Sequence, residues 1–572
     1  MTRARLGALA VCAVTVAAVF VGGTVRAQTD DQRSALVVLV PGVGFDELMA
    51  IPDIASLARA GGAGLLVNPE DVLEFDQHAV PGEVRAMVRA GTVEAGLQAL
   101  VGRHRPGGFE DVPLLVIVIG ADIGGGSVGK DIGSIRLGPD VGGVVVAEGA
   151  PKTLFPETGK QGSLTSDSTR RDGVVTGGDV RATLIDYLGR APLVSGDVPV
   201  GSPIEIIPGP PPFELHERYL AQRRMYVPIG TAGGIYLAIA GLGAIAALAL
   251  GSRVARSVRR IFGWGCLSVA ALATALLAAG HLPDLTYATV VPFVALVTVF
   301  GTLAFAPLEH RDVLLIPAGI GIAVLAFLAV EAILAWTAAL TPFVGGSELD
   351  GGRFYGLPNV FIGLLIGSCL WIAQRLRTVA GFGLLVAVAL FAGLPYIGAN
   401  LGGGVSLFAA AGLWLAIRER ERLGAWRGIG VFVGVTVLGT AVILAAHAIS
   451  PFETHVTRFE ERAGGLAGVV EKIGDRLQVG FDLIARNPFA LIPVLGLPIA
   501  IAAVLRPPAA LRPSLRQSPA WRDAILVTLL AGVVAYLVND SGPAAAGFAF
   551  GLGLGGLLGV SLLSEAGKMG EP

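Results

Sequence analysis

The sequence predicts a two-part fold: an extracytoplasmic α/β domain followed by an all-helical polytopic membrane domain of about eleven transmembrane helices. Three observations predict it. Of the 572 residues 53% are hydrophobic and only 15% charged, with a mean hydropathy of +0.70, a balance that needs lipid rather than water as solvent for much of the chain. From Tyr226 onward, apolar runs of roughly 16 to 24 residues, about the length of a bilayer crossing, alternate with short polar loops. Before them, short β-branched runs alternate with helix-like segments.

The first element is a leader. Arg3 and Arg5 precede an apolar core from Leu6 to about Gly23, and Val25-Arg26-Ala27 forms an A-x-A-like cleavage site, so residues 1–27 are expected to be an export signal or, uncleaved, a signal anchor. Either form places the domain that follows outside the cytoplasm.

That domain is expected over residues 30–215. Strands are predicted at Ala35 to Val40, Leu114 to Ile119 and Gly143 to Ala147, a helix-like segment at Val84 to Val101, and a mostly parallel, covered sheet as the architecture. The proline-rich stretch Pro199 to Phe213 and the polar residues after it, 216–226, are expected as a linker down to the bilayer.

The membrane domain is expected over residues 227–563. Its spans are predicted at 227–250, 261–280, 288–306, 313–335, 357–373, 379–395, 401–417, 428–449, 487–505, 524–538 and 543–563, with a cytoplasmic tail at 564–572. Given an exported N-terminal domain, every second loop should be cytoplasmic and basic. Those loops carry Arg253, Arg256, Arg259 and Arg260; Arg311; Arg375 and Arg377; Arg418, Arg420, Arg422 and Arg427; and Arg506, Arg512, Arg516 and Arg522. The long outer loop, 450–486, mixes basic and acidic residues and is expected to hold amphipathic helix at the surface.

Cys12 lies in the leader, and Cys266 and Cys369 lie within apolar runs, so neither a disulfide framework nor cysteine metal chemistry is expected. No long basic run points to nucleic acid. The partners expected are the lipid bilayer and, beyond it, a lipid-linked glycan or envelope proteins; no cofactor and no metal is expected.

Unusual polar residues collect at the predicted outer ends of the spans. GGRFYGLPN (Gly351 to Asn359) enters the fifth span, PYIGANLGGG (Pro395 to Gly404) joins the sixth and seventh, ETHVTRFEER (Glu453 to Arg462) opens the long loop, and NDSG (Asn539 to Gly542) joins the last two. Polar groups at membrane helix ends are costly to desolvate unless paired or functional, so their convergence predicts a site. Turn chemistry explains each motif taken alone. Arg353 and Arg458 are the anion ligands expected, with Asn359, Asn400 and Asn539 beside them. His455 is the proton carrier and Asp540 a base or an orienting group. Glu331, inside the fourth span, is also out of place in hydrocarbon.

Three segments of the α/β domain together resemble the alkaline phosphatase superfamily. ALVVLVPGVGFDEL with IPDIASLARAGGAGLL resembles its opening strand and first helix, VIVIGADIGGG the strand ending in its Ser-Asp-His-Gly signature, and SLTSDSTRRDGVVTGGDVRATLIDYLG its late segment. The resemblance implies a bimetal site of Asp and His ligands, and the sequence departs from it. Pro41 and Gly42 stand where a metal-binding Asp is implied, and Ile123 follows Asp122 where the ligand His is implied. No histidine lies between His104 and His216. Asp46, Asp122, Asp131 and Asp167 alone do not rebuild such a site. A degenerate, non-catalytic domain is therefore expected, in which Ser166, Thr169, Arg170 and Arg171, with Asp167 and Ser168, could grip a phosphate.

The combination resembles a group of actinobacterial-type membrane proteins that join a degenerate phosphatase-like domain to a helical membrane domain. In layout alone it is also similar to outward-facing enzymes that handle polyprenyl-phosphate-linked glycans. The function expected is a multi-pass plasma-membrane protein of the cell envelope that binds an anionic, phosphate-bearing lipid or glycan intermediate at its outer face. The alternatives are an enzyme that transfers or polymerises a lipid-linked glycan, and a transporter.

Overall fold

The computed structural model describes residues 34–41, 45–67, 84–87, 114–121, 142–149, 162–188, 201–332, 342–344, 356–358, 360–395, 397–450, 491–539 and 542–568. The chain divides into two compact units. The first comprises Met1–Glu217 with Glu348–Phe354, and the second comprises Arg218–Ser347 with Tyr355–Pro572.

The first unit is built on an eight-stranded sheet. Its elements are β1 (Ser34–Pro41), α1 (Phe45–Met49), α2 (Pro52–Ala60), β2 (Gly62–Val67), β3 (Val84–Met87), β4 (Leu114–Ala121), β5 (Gly142–Gly149), β6 (Gly162–Ser166), β7 (Val174–Thr176), α3 (Gly177–Leu188) and β8 (Ile204–Pro208). The order is β3-β1-β4-β5-β2-β6-β8, with β7 also pairing with β2. Pro52 opens α2, where its missing N–H costs nothing, and Ile54, Leu57 and Ala58 bury the helix's inner face.

The predicted strands stand almost where the β-branched runs placed them, but the sheet is mixed. β1 runs parallel to β3 and β4, and β2 parallel to β6 and β7, whereas β5 is antiparallel to both β4 and β2, and β8 to β6. An uninterrupted apolar run such as Gly143 to Ala147 reports burial on both faces and says nothing about direction. Val84 to Met87, expected as the start of a helix, is a strand beside β1; residues 88–101 lie outside the described residues. The expected linker is also structured: β8 forms within its proline-rich part, because Ile204, Ile206 and Ile207 pair with β6 before Pro208 ends the ladder.

The second unit is helical. After α4 (Phe213–Leu250), whose residues up to Glu217 belong to the first unit, come α5 (Arg256–Leu267), α6 (Val269–Ala278), α7 (Tyr287–Leu303), α8 (Leu315–Val330) and α9 (Val360–Ala373). Then follow α10 (Thr378–Gly393), α11 (Leu401–Arg418), α12 (Arg420–Ala448), α13 (Leu491–Leu505), α14 (Arg512–Gln517), α15 (Pro519–Val538) and α16 (Gly542–Lys568). Among the described residues, six helices are long and apolar enough to cross a bilayer, or seven if α5 with α6, bent by 47° at their junction, counts as one span. The helices α8, α9, α10 and α13 are apolar but shorter. Val227, Ile239 and Leu242 on α4, and Val437 and Leu438 on α12, are more than 60% exposed, a surface that water would not tolerate at this extent. This is the make-up of a multi-pass membrane protein.

Residues 216–226, expected as part of the linker, are helical turns of α4. Their polarity hides burial, for His216, Tyr219, Gln222 and Met225 all face inward. α12 likewise begins earlier than the predicted span, at Arg420, with a break at Gly424 (φ +66°) that only glycine adopts without strain. The centre of the unit is filled by Trp371, Trp414 and Trp521, all fully buried, and by close helix approaches at glycine. At Gly367 of α9 a Cβ would press into Leu552 of α16, so small residues set that spacing.

The two ends of these helices differ in chemistry. At one end Arg259 pairs with Glu565 at 3.0 Å, Arg260 with Glu309 at 2.8 Å and Arg375 with Asp312 at 2.7 Å. There too Asp523, 2% exposed, gathers Arg420 at 3.1 Å, Arg418 at 3.5 Å and Arg522 at 3.6 Å. These pairs tie together turns that the sequence assigns to one side on arginine content alone.

Candidate functional site

At the other end of α9, α10, α11, α12, α15 and α16 the chemistry is carried by amides, hydroxyls and imidazole. Asn400 precedes α11 and caps it, its Oδ1 accepting from the Gly403 N–H at 2.7 Å. Its Nδ2 donates to the Leu357 carbonyl at 2.7 Å, and its own N–H donates to the Ala392 carbonyl at 2.9 Å. The Leu357 N–H returns a bond to the Gly398 carbonyl at 2.7 Å. Gly356, at φ +91°, lies so close to the Gly398 carbonyl that no side chain fits. Ala399 has φ +46°, which strains an alanine and is sustained by this bracing.

Asn539 follows α15. Its Nδ2 donates to Ser406 Oγ at 3.1 Å and to the Ala535 carbonyl at 2.9 Å, while Ser406 Oγ donates to the Gly402 carbonyl at 2.7 Å. Its Oδ1 is buried, without a hydrogen-bond partner, and packs against Gly402, where a Cβ would come within 2.6 Å. His447, near the end of α12 and 1% exposed, donates from Nε2 to the Gly393 carbonyl at 3.0 Å.

Three of the four polar motifs singled out in the sequence therefore meet around the first turns of α11: the Leu357 segment, the Asn400 segment and Asn539. Asn400 is fully buried with both amide atoms engaged, so it holds the turns in register and does not itself present an amide to a ligand. Arg353, Asn359, His455, Arg458 and Asp540 lie outside the described residues, as does the whole motif from Glu453 to Arg462.

A second polar group stands at the end of α6 and α8. His281 Nε2 and Glu331 Oε2 are 2.6 Å apart, with Glu331 8% exposed in a π-helical turn that continues α8. Such turns recur at functional positions. Arg218 braces the His281 turn from α4, donating from Nη2 to the Gly280 carbonyl at 2.6 Å and from Nη1 to the Leu282 and Pro283 carbonyls at 2.8 and 3.0 Å. Gln222 Nε2 donates to the Pro342 carbonyl at 2.6 Å. The sequence flagged Glu331 because a carboxylate in an apolar run is conspicuous; His281 and His447 carried no motif. Their signal was positional, since both sit at span ends on the same side as the polar motifs.

In the first unit, the hydroxyls expected to grip a phosphate are turned inward. Asp179, fully buried, accepts from Ser166 Oγ at 2.8 Å, from Ser168 Oγ, from the Thr176 N–H at 2.7 Å and from the Ser202 N–H at 3.0 Å. Thr176 Oγ1 accepts in turn from the Asp179 N–H at 3.2 Å, which completes a capping box at the start of α3. Thr169, also fully buried, donates to the Val174 carbonyl at 2.7 Å. Ser166 and Thr169, expected to grip a phosphate, direct their hydroxyls to partners within the fold. A hydroxyl's type and spacing do not reveal which way it points. Arg170 takes φ +52° and Arg171 is half-buried on the same turn. Asp46 pairs with His216, Oδ1 to Nδ1 at 3.1 Å, and Asp167 is exposed, while Asp122 and Asp131 lie outside the described residues. No group of three or more His, Cys, Asp or Glu converges as a metal site among the described residues.

Comparison with protein-family models, with curated proteins and with solved structures finds no match to this chain.

Proposed function

We propose that this chain is a multi-pass plasma-membrane protein of the cell envelope that binds an anionic, phosphate-bearing lipid or glycan intermediate at the outer face of its helical unit. In this proposal it crosses the membrane eleven times. Its sheet-containing unit is an extracytoplasmic, alkaline-phosphatase-like module without catalysis of its own. One observation carries the proposal: Leu357, Asn400 and Asn539, from three separate motifs, meet at the helix ends opposite the arginine–carboxylate pairs. Buried, uncharged hydrogen-bonding networks at a membrane helix end are costly to assemble and hold neighbouring loops in one geometry. Those loops continue into Arg353 and Asp540, and the positive-inside pattern assigns this end to the outer face.

Native mass spectrometry of the detergent-purified protein tests it. The variant with Arg353→Ala and Arg458→Ala should lose co-purifying anionic lipid or lipid-linked glycan, and unchanged retention counts against the proposal. Catalysis in the membrane, transferring or polymerising a lipid-linked glycan, is favoured by the His281–Glu331 pair, because an imidazole oriented by a carboxylate is the usual form of a general base. Loss of a surface glycan in a His281→Ala strain that keeps normal protein levels would select that reading.

A further inference from the structure

The arginine end carries a feature that ion pairing leaves unexplained. Arg253, Arg256, Arg259 and Arg260 fall within eight residues, and the first turn of α5 has no side-chain cap, its N-cap being Ala255. Arg259 is 3% exposed. Its Nη1 donates to Glu565 Oε2 at 3.0 Å, yet its Nε and Nη2 have no hydrogen-bond partner. A buried guanidinium with donors idle is costly, and such a group calls for a ligand. Side chains of a helix lean toward its N-terminus, which carries the Arg259 fork toward the uncapped turn and its free N–H groups. Arg260 adds a second cation beside it, with its Nη2 on Glu309 at 2.8 Å and its Nε buried and without a partner. The exposed Arg256 lies one turn before it on the same side.

We propose that the first turn of α5, with Arg256, Arg259 and Arg260, binds the phosphate oxygens of an anionic membrane lipid. Helix N–H groups and guanidinium forks are the donors that suit a phosphate. A lipid is the source that fits the surroundings. The outer face of the same two turns is apolar, with Val258 37% and Ile261 67% exposed, and so offers acyl chains a surface below the headgroup. Glu565 is the competitor, because its carboxylate occupies the one Arg259 nitrogen that is paired. This site lies at the opposite helix ends from the one proposed above and stands or falls separately from it.

The test is native mass spectrometry of the full-length protein in detergent, with dioleoylphosphatidylglycerol and dioleoylphosphatidylcholine supplied in competition. The wild type should retain phosphatidylglycerol preferentially. Arg259→Gln should cut that retention about fivefold or more, Arg256→Gln by about half, and Glu565→Gln should raise it about threefold by releasing the guanidinium. Unchanged retention in a folded Arg259→Gln protein overturns the proposal. If that variant does not fold, Glu565→Gln decides, and a failure to gain overturns it. Inorganic phosphate supplied alone distinguishes the sources: stabilisation of the wild type equal to that by the lipid, and lost in Arg259→Gln, identifies a free-anion site and overturns the lipid assignment. Measured in the Arg353→Ala, Arg458→Ala background, which removes retention at the outer-face site proposed above, the loss on Arg259→Gln should persist; its disappearance there overturns the proposal.

Discussion

Asn539 donates to Ser406 across 133 residues of chain, a 3.1 Å bond between the end of α15 and the second turn of α11. Because the Ser406 hydroxyl itself donates to the Gly402 carbonyl, the bond fixes an asparagine that leaves α15 against a helix capped by Asn400. Gly402 is the point of contact. A Cβ there would lie 2.6 Å from Asn539 Oδ1 and 2.8 Å from the Val538 carbonyl. Gly402→Ala should therefore destabilise the helical unit by about 1–3 kcal/mol, the usual cost of overpacking. Combining it with Asn539→Ala should recover only part of the loss, since the Val538 carbonyl does not move away with the side chain. Thermal unfolding of the two single variants and the double variant measures the coupling, and strict additivity would show that the contact does not exist.

Asn400→Ala removes a helix cap, about 1 kcal/mol, and also takes away the amide donor to the Leu357 carbonyl, about 0.5–1.5 kcal/mol more. Asn400→Asp separates the two effects. It keeps the acceptor for the Gly403 N–H but turns a carboxylate oxygen toward the Leu357 carbonyl. The aspartate variant should therefore unfold at or below the temperature of the alanine variant. An aspartate variant as stable as wild type would show that the bond to Leu357 contributes nothing.

How far these features could be read from sequence depends on what a residue type discloses. Apolar helices were legible because a bilayer demands an apolar run of fixed length, and Leu401–Arg418 lies almost where it was expected. Helix starts were not, because Glu214–Arg224 and Arg420–Leu423 are polar turns of apolar helices and nothing in composition separates them from a loop. Strand positions were legible from β-branched runs, but strand direction was not, as the antiparallel β5 demonstrates. Asn400 and Asn539 stood out as amides at span ends, yet whether an amide meets a ligand or a neighbouring carbonyl is settled only by the fold.

Asp179 gives the sharpest contrast between type and role. It reads as one acidic residue in a family-like motif, and it is the hub of α3, accepting from two hydroxyls and two backbone N–H groups. Asp179→Ala should leave these donors without an acceptor inside the first unit, at about 1–3 kcal/mol for each that finds no water. Asp179→Asn should cost less, because one amide oxygen remains. In limited proteolysis of the full-length protein, cleavage within residues 162–208 should accelerate in the order wild type, Asn, Ala. Equal rates for all three would remove Asp179 as the organising residue.

The last expectation concerns His281 and Glu331. A carboxylate that is 8% exposed at a membrane helix end needs polar partners, and the imidazole at 2.6 Å is one of them. Removing the histidine should therefore be worse than removing both groups. His281→Ala leaves the carboxylate without the imidazole, whereas His281→Ala with Glu331→Gln leaves a neutral amide, which costs less to bury than a charge. The half-exposed imidazole limits the coupling to about 1–2 kcal/mol, because solvent screens part of the interaction. Unfolding of the two single variants and the double variant at neutral pH gives this directly. A double variant less stable than His281→Ala would mean that Glu331 is held by its other contacts and that the pair plays no part in securing the ends of α6 and α8.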